Sequence, residues 1–223
     1  MSNKLKLAFI GDSVAGKSHI LNVIINNFIN NFALSENIQK TIGFDYYVRN
    51  YELNKVIYEL TFYDFSGDTK YQSIIDSKNY YHYMDGIFIV FDISNRQHID
   101  NLSFWINKVS KFNKFIYILA NKSDLESKYI FHAKSIVYDL AMHSTIHNYM
   151  MISITEPESI KYILDSIIDH IKYSKPPLIE PITNTITQET QIKNNDKNIT
   201  NTKNSSIFDN INISKLLSFL KKK

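Results

Sequence analysis

The chain contains no cysteine among its 223 residues, and glycine and proline occur only five and four times. The absence of cysteine excludes disulfides, zinc–thiolate centres and a thiol nucleophile. No apolar stretch reaches the ~20 residues of a membrane-spanning helix, and no secretory leader is recognisable. The net charge of +3 is too small to indicate nucleic-acid binding. We therefore expect one compact cytoplasmic domain that has no nucleic-acid partner.

The most informative segment is the sequence GDSVAGKS at residues 11–18, which has the form G-x-x-x-x-G-K-[ST]. A predicted buried strand precedes it and a predicted helix follows, which is the arrangement of a phosphate-binding loop. The glycines let backbone N–H groups surround an anion, and the helix N-terminus adds partial positive charge. Lys17 would bind the β- and γ-phosphates, and the Ser18 hydroxyl would bind Mg²⁺. The predicted phosphate-side contacts are Gly11, Asp12, Ser13, Val14, Ala15, Gly16, Lys17, Ser18 and His19.

A second polar loop, NKSD at residues 121–124, follows another predicted buried strand. Asp124 can accept hydrogen bonds from N1–H and the exocyclic amino group of guanine, whereas adenine has no matching pair of donors. We expect Asn121 to tie this loop to the phosphate loop and the Lys122 stem to lie along the base. The polar turn is weak evidence alone, but together with the phosphate loop it predicts a guanine nucleotide.

A third loop, DFSGD at residues 64–68, also follows an apolar strand and has the form D-x-x-G. Asp64 is expected to hold Mg²⁺ through water, and the Gly67 N–H is expected to face the γ-phosphate. Thr41 is a candidate second hydroxyl ligand of the ion. The predicted metal-binding residues are therefore Ser18, Thr41 and Asp64, and the predicted cofactors are GTP or GDP with Mg²⁺.

Strands and helices alternate along most of the chain, which predicts an α/β fold with a mostly parallel six-stranded sheet and helices on both faces. A tight turn at Asn54–Lys55 predicts one antiparallel hairpin, and Trp105 is expected in the core. We predict a GTP-binding domain over 1–175, a disordered linker over 176–205 and an amphipathic basic segment over 206–223. The predicted strands are 5–10, 45–53, 56–63, 86–92, 114–120 and 149–153, and the predicted helices are 17–29, 70–81, 97–112, 131–143 and 157–173.

The order and content of these motifs resemble those of small GTPases of the Ras superfamily, and of the Rab family most closely. The Rab resemblance rests on TIGFDY at 41–46, on YY at 80–81 and on IVFDIS at 89–94, and the likeness covers about 4–173. It implies the P-loop NTPase fold of small GTPases. It also implies a GTP/GDP-dependent molecular switch that acts in intracellular vesicle traffic and hydrolyses GTP to GDP and phosphate.

The resemblance implies a further guanine-binding segment at Ser153, Ile154 and Thr155, where only the serine matches the family pattern. Contact with the base through the backbone of this segment would tolerate the bulkier Ile154. Either Phe28 or Phe32 is expected to cover the edge of the guanine.

The resemblance also implies protein partners. Effectors would bind an exposed aromatic triad at Tyr46, Tyr63 and Tyr80, and exchange and activating factors would act on the same domain. Rab proteins end in prenylated cysteines, and the absence of cysteine predicts that this chain is not prenylated. Residues 206–223 would lie on anionic endomembrane surfaces as a peripheral segment; the alternatives are a frayed tail or a segment that docks on the domain itself.

Two further residues depart from the family pattern. Asp68 stands where the family has a catalytic glutamine, and Val14 stands at a position that is commonly glycine. The candidate catalytic residues are therefore Lys17, Gly67 and Asp68. An ionised carboxylate near the γ-phosphate predicts slow hydrolysis, because the like charges repel. The alternative is a pseudo-GTPase that holds nucleotide with little turnover and binds partners constitutively.

Overall fold

A computed structural model describes residues 3–28, 40–112, 114–142 and 146–174. The strands are β1 (Lys4–Ile10), β2 (Phe44–Leu53), β3 (Val56–Phe65), β4 (Gly86–Asp92), β5 (Phe115–Asn121) and β6 (Ile146–Met151). In the described part of the chain they form one sheet in the order β2-β3-β1-β4-β5-β6. The β2–β3 hairpin is antiparallel and the other four pairings are parallel. The prediction of a mostly parallel six-stranded sheet is confirmed.

The helices cover both faces of this sheet, as predicted. They are α1 (Lys17–Ile25), α2 (Thr69–Ser77), α3 (Arg96–Asp100), α4 (Leu102–Ser110), α5 (Ile130–Ala141) and α6 (Pro157–Ser174), with a 3₁₀ turn at Tyr80–Tyr83. One core cluster joins the sheet to α1 and α6, and a second joins its other face to α2, α3, α4 and α5. All seven residues of β4 are buried, because helices cover both sides of this central strand.

The bounds of every predicted helix differ from those in the structure at one end or at both. The predicted helix 17–29 ends at Ile25, because Asn27 adopts a left-handed φ of 61° and closes a Schellman turn. In this turn, Phe28 N–H donates to the Val23 carbonyl and Asn27 N–H to the Ile24 carbonyl. The predicted helix 97–112 is divided into α3 and α4 at Asn101, whose own backbone is only marginally helical.

Other predicted bounds also differ from those in the structure. The predicted helix 70–81 ends as α2 at Ser77, and the 3₁₀ turn follows it after Asn79, which has a left-handed φ of 51°. The last strand begins at Ile146 instead of 149, and β3 continues to Phe65. The predicted linker at 176–205 and the predicted segment at 206–223 lie outside the described residues. Within the described ranges, every helix is too short or too polar to cross a bilayer.

Candidate functional site

The phosphate loop connects β1 to α1 and places the side chain of Lys17 back across its own backbone. Lys17 Nζ donates to the carbonyl oxygens of Gly11, at 2.9 Å, and Asp12, at 2.8 Å. Burial lowers the pKa of Lys17 to about 8, although the charges of Asp64 and Asp12 oppose this shift. A poorly solvated cation at the mouth of an N–H-lined loop is well suited to bind a phosphate.

The three predicted metal-binding residues come together beside this lysine. Ser18 Oγ lies 2.5 Å from Asp64 Oδ2, and Thr41 Oγ1 lies 3.2 Å from the same oxygen and 3.5 Å from Ser18 Oγ. The other carboxylate oxygen, Asp64 Oδ1, is buried without a hydrogen-bond partner among the described residues. Burial raises the pKa of Asp64, and the hydrogen bond from Ser18 opposes that shift. Two hydroxyls and an under-satisfied carboxylate form a donor set that fits Mg²⁺.

The loop that was predicted to recognise guanine is attached to the phosphate loop. Asn121, which is 1% exposed, donates from Nδ2 to the Ala15 carbonyl at 2.9 Å. Gly16 allows this approach, because a Cβ at Gly16 would lie 2.2 Å from Asn121 Nδ2, and its φ of 97° also favours glycine. The predicted attachment of the two loops through Asn121 is therefore present in the structure.

Lys122 is oriented by a partner that the sequence analysis did not identify. Its Nζ forms an ion pair with Asp92 Oδ2 at 2.7 Å, and Asp92 accepts further hydrogen bonds from Ser94. The position of Asp92 at the carboxyl end of β4, next to the end of β5, was the available sequence signal. Burial, and then the positive charge of Lys122, lower the pKa of His19.

Asp124 is held by the second predicted guanine-binding segment, residues 153–155. Ser153 is fully buried and donates from Oγ to Asp124 Oδ1 at 2.5 Å. Thr155 N–H donates to the same Ser153 hydroxyl at 3.1 Å, which fixes the turn. Ile154 is partly buried and packs against the core cluster that joins the sheet to α1 and α6. One carboxylate oxygen of Asp124 is therefore anchored on the serine that matches the family pattern.

Phe28 contacts the hairpin. Its ring lies 6.3 Å from that of Tyr51 on β2 and beneath the guanidinium of Arg49. The alternative residue predicted to cover the guanine, Phe32, lies outside the described residues. The structure therefore places Phe28 against core side chains of the hairpin.

The D-x-x-G segment packs directly on the phosphate loop. A Cβ at Gly67 would lie 2.3 Å from the Asp12 carbonyl carbon and the Ser13 nitrogen, so only glycine fits there. The next residue, Asp68, is the N-cap of α2 and accepts a hydrogen bond from the Lys70 N–H at 3.2 Å.

Asp68 also joins the segment that contains Thr41 to the D-x-x-G segment. Its carboxylate forms an ion pair with Lys40, which precedes Thr41, at 3.0 Å and a longer one with Lys70 at 3.6 Å. Hydrogen bonds from the Lys40 side chain and the Lys70 backbone lower the pKa of Asp68. Asp68 is therefore an ionised residue that is already engaged by two lysines.

Aromatic side chains form a surface beside these segments. Tyr46 is 64% exposed, and its ring centroid lies 6.3 Å from that of Tyr63. Phe44 connects Tyr63, at 6.0 Å, to Tyr80, at 4.9 Å. The three tyrosines of the predicted triad thus lie on one surface, and Phe44 is a member that the sequence analysis did not include.

The amino-acid sequence of this chain is also similar to those of known proteins. A sequence model described as the Ras family matches residues 6–173. Ras-related protein Rab-1A of Dictyostelium discoideum is 32% identical over 126 residues, which is 55% of this chain and 59% of that protein. Ras-related protein Rab-19 of Xenopus laevis is 31% identical over 126 residues, or 55% of this chain and 56% of that protein. Ras-related protein RabH of Dictyostelium discoideum is 32% identical over 130 residues, which is 57% of this chain and 62% of that protein. The chain thus spans less than two thirds of the length of these relatives.

Proposed function

Because the chain belongs to the Ras family, we propose that it is a Rab-like GTP/GDP switch that acts in vesicle traffic and hydrolyses GTP slowly. The observation that carries this proposal is a pair of contacts that join the phosphate loop, the NKSD loop and residues 153–155. Asn121 links the guanine loop to the phosphate loop, and Ser153 holds the carboxylate of Asp124. These contacts connect a base-recognition group to a phosphate site within one rigid edge of the sheet.

The residues of the phosphate side have distinct tasks in this proposal. Lys17 supplies a desolvated cation for the β- and γ-phosphates. Ser18, Thr41 and Asp64 would hold Mg²⁺, which supplies charge neutralisation of the phosphates when bound. Gly67 brings its backbone to the phosphate loop, where its N–H would face the γ-phosphate.

The switch is proposed to lie in the segments around Thr41 and Gly67. Contacts of both segments with the γ-phosphate side would order them in the triphosphate state, and loss of that phosphate would release them. The aromatic surface formed by exposed Tyr46 and half-buried Tyr63 and Tyr80 adjoins both segments, which supports its use by effector proteins. Exchange and activating factors would act on the same segments, and residues 206–223 are proposed to provide peripheral attachment to endomembranes.

The base choice can be tested through Asp124. Asp124→Asn exchanges an acceptor for a donor, so the variant should prefer xanthine nucleotides to guanine nucleotides. The wild type should bind GDP and GTP with Mg²⁺ and reject ATP. The measurement is competitive displacement of fluorescent GDP by GTP, XTP and ATP, and Asp139→Asn on the exposed side of α5 is the matched control. Displacement of GDP by ATP at comparable concentration would refute the guanine assignment.

Slow hydrolysis is supported by the surroundings of Asp68. Its carboxylate caps α2 and pairs with Lys40, and as an ionised group it can accept but not donate a hydrogen bond. A water-positioning glutamine does both, toward water and toward phosphate.

The same observation supports the alternative of a pseudo-GTPase. Single-turnover phosphate release from GTP-loaded protein separates the two, because a slow switch releases phosphate with a measurable rate and a pseudo-GTPase retains GTP.

A further inference from the structure

One side of the α4 region contacts the phosphate loop. Asn101, Trp105 and Lys108 are spaced at i, i+4 and i+7, which places them on the same side of a helix. Asn101 Nδ2 donates to Asp12 Oδ2 at 3.0 Å, and Trp105 Nε1 donates to Asp12 Oδ1 at 3.0 Å. Both carboxylate oxygens of Asp12 are therefore held by donors that lie about 90 residues away in sequence.

The same helix side also contacts the D-x-x-G segment. Lys108, whose side chain is 9% exposed, donates to Gln72 Oε1 at 2.7 Å and pairs with Asp76 at 2.9 Å. Buried Gln72 in turn donates to the Ser66 carbonyl at 2.7 Å, directly before Gly67. Through Gln72, α4 thus restrains the segment that packs on the phosphate loop.

Packing alone does not account for the two contacts with Asp12. Trp105 is 3% exposed, and a phenylalanine would fill most of that volume without an N–H donor. The backbone of Asp12 accepts the hydrogen bond from Lys17 and contacts Gly67. Any movement of Asp12 would therefore displace both the phosphate-binding lysine and the D-x-x-G backbone.

We infer that Asn101 and Trp105 are positioning residues that hold the phosphate loop through Asp12 and thereby slow nucleotide release. The inference rests on the proposed binding of guanine nucleotides. Removal of one donor leaves part of the Asp12 carboxylate without a partner, and hydrogen bonds to charged groups are the strong ones. We expect about tenfold faster GDP release for each lost donor.

The test is a double-mutant cycle on GDP release. Trp105→Phe and Asp12→Ala are each expected to accelerate displacement of fluorescent GDP, and the double variant should release GDP no faster than Asp12→Ala alone. Ile106→Val is the control, because it removes a buried methylene from the same helix without touching Asp12. It should lower the Tm and leave the release rate unchanged. Additive acceleration in the double variant would overturn the inference, since the effect of Trp105 would then not pass through Asp12.

Asn101→Leu provides a second cycle that does not depend on the core tryptophan. It should also accelerate release in the wild-type background and have no further effect after Asp12→Ala. Trp105 is the single tryptophan of the chain, so its emission reports on this contact directly. Asp12→Ala should change the emission of the GDP-bound protein, and an unchanged spectrum would contradict the contact. Failure of the wild type to bind GDP would refute the proposed function. If the wild type binds GDP but the double variants show additive acceleration of GDP release, only the positioning role is refuted.

Discussion

The backbone of the phosphate loop carries a strain at Val14 that one substitution should relieve. Val14 has a φ of 59°, in the left-handed region, where both branches of its side chain crowd the backbone. The side chain is 79% exposed and therefore contributes little to packing. Val14→Gly should remove this strain and lose only the small buried part of the valine side chain.

Three terms set the size of the effect. A non-glycine residue in the left-handed region costs roughly 1–2 kcal/mol, and valine lies near the upper end. Glycine makes the unfolded chain more flexible, which costs about 0.4–1 kcal/mol. The lost burial is about a fifth of the roughly 1.5–3 kcal/mol of a fully buried valine, or roughly 0.3–0.6 kcal/mol. The net stabilisation is up to about 1 kcal/mol. Because this is small, Val14→Gly is best compared with a second glycine variant in which the flexibility of the unfolded chain rises equally.

Asn54→Gly is that comparison. Asn54 lies in the β2–β3 turn with a φ of 52°, and its side chain is also exposed. Asparagine tolerates this region, so glycine relieves little strain there while it adds similar flexibility to the unfolded chain. We expect Val14→Gly to exceed Asn54→Gly in stability by roughly 1 kcal/mol, which is about 2–4 °C in Tm for a domain of this size.

The assay is thermal unfolding at one fixed excess of GDP and Mg²⁺. The Kd for GDP is measured for each variant, so that the contribution of binding to the Tm can be subtracted. Equal corrected Tm values for the two glycine variants would refute the strain at Val14. A lower value for Val14→Gly would show that the valine makes a contact that its exposure does not indicate.

Two further predictions concern the chemistry. Ser18→Asn should weaken GTP binding more than GDP binding, because the triphosphate state depends on full coordination of the ion. Equal losses of affinity for GTP and GDP in titrations would contradict the assignment of Ser18 as a metal ligand. Asp68→Gln should raise single-turnover hydrolysis by about 10²-fold, because an amide both accepts from water and donates to phosphate. The lowered pKa of Asp68 also predicts a wild-type rate that stays level from about pH 7 to about pH 5. A rate that falls across this range, with a slower Gln variant, would instead make Asp68 a working base.

The sequence allowed prediction of which loops meet, because each follows a strand of the same parallel sheet. The carboxyl ends of such strands lie at one edge of the sheet, so the loops after β1, β3 and β5 share that edge, although β4 lies between β1 and β5. The placement of Asn121 and Ala15 at one edge follows from this geometry. The end of α1 does not, because a short Schellman turn at Asn27 competes with a helical pattern that continues to residue 29.

Side-chain partners across long sequence separations were harder to predict. The ion pair between Asp68 and Lys40 depends on how the Thr41 segment approaches α2, which no local pattern encodes. Asp68 was predicted from its position in the motif to face the γ-phosphate. In the structure its carboxylate caps α2 and pairs with Lys40 and Lys70, contacts that the motif position alone does not predict.

A usable signal for the α4 contacts was nevertheless present in the sequence. Trp105, Ile106 and Val109 mark the buried side of α4, and on that pattern Asn101 and Lys108 fall at or beside buried positions. A polar side chain in such a position is costly unless it finds a partner, so each predicts an unseen acceptor. The acceptors are Asp12 in the phosphate loop and Gln72 with Asp76 in α2. Polar residues that interrupt an apolar helix side therefore indicated where this helix contacts the nucleotide site, although only the fold could identify the partners.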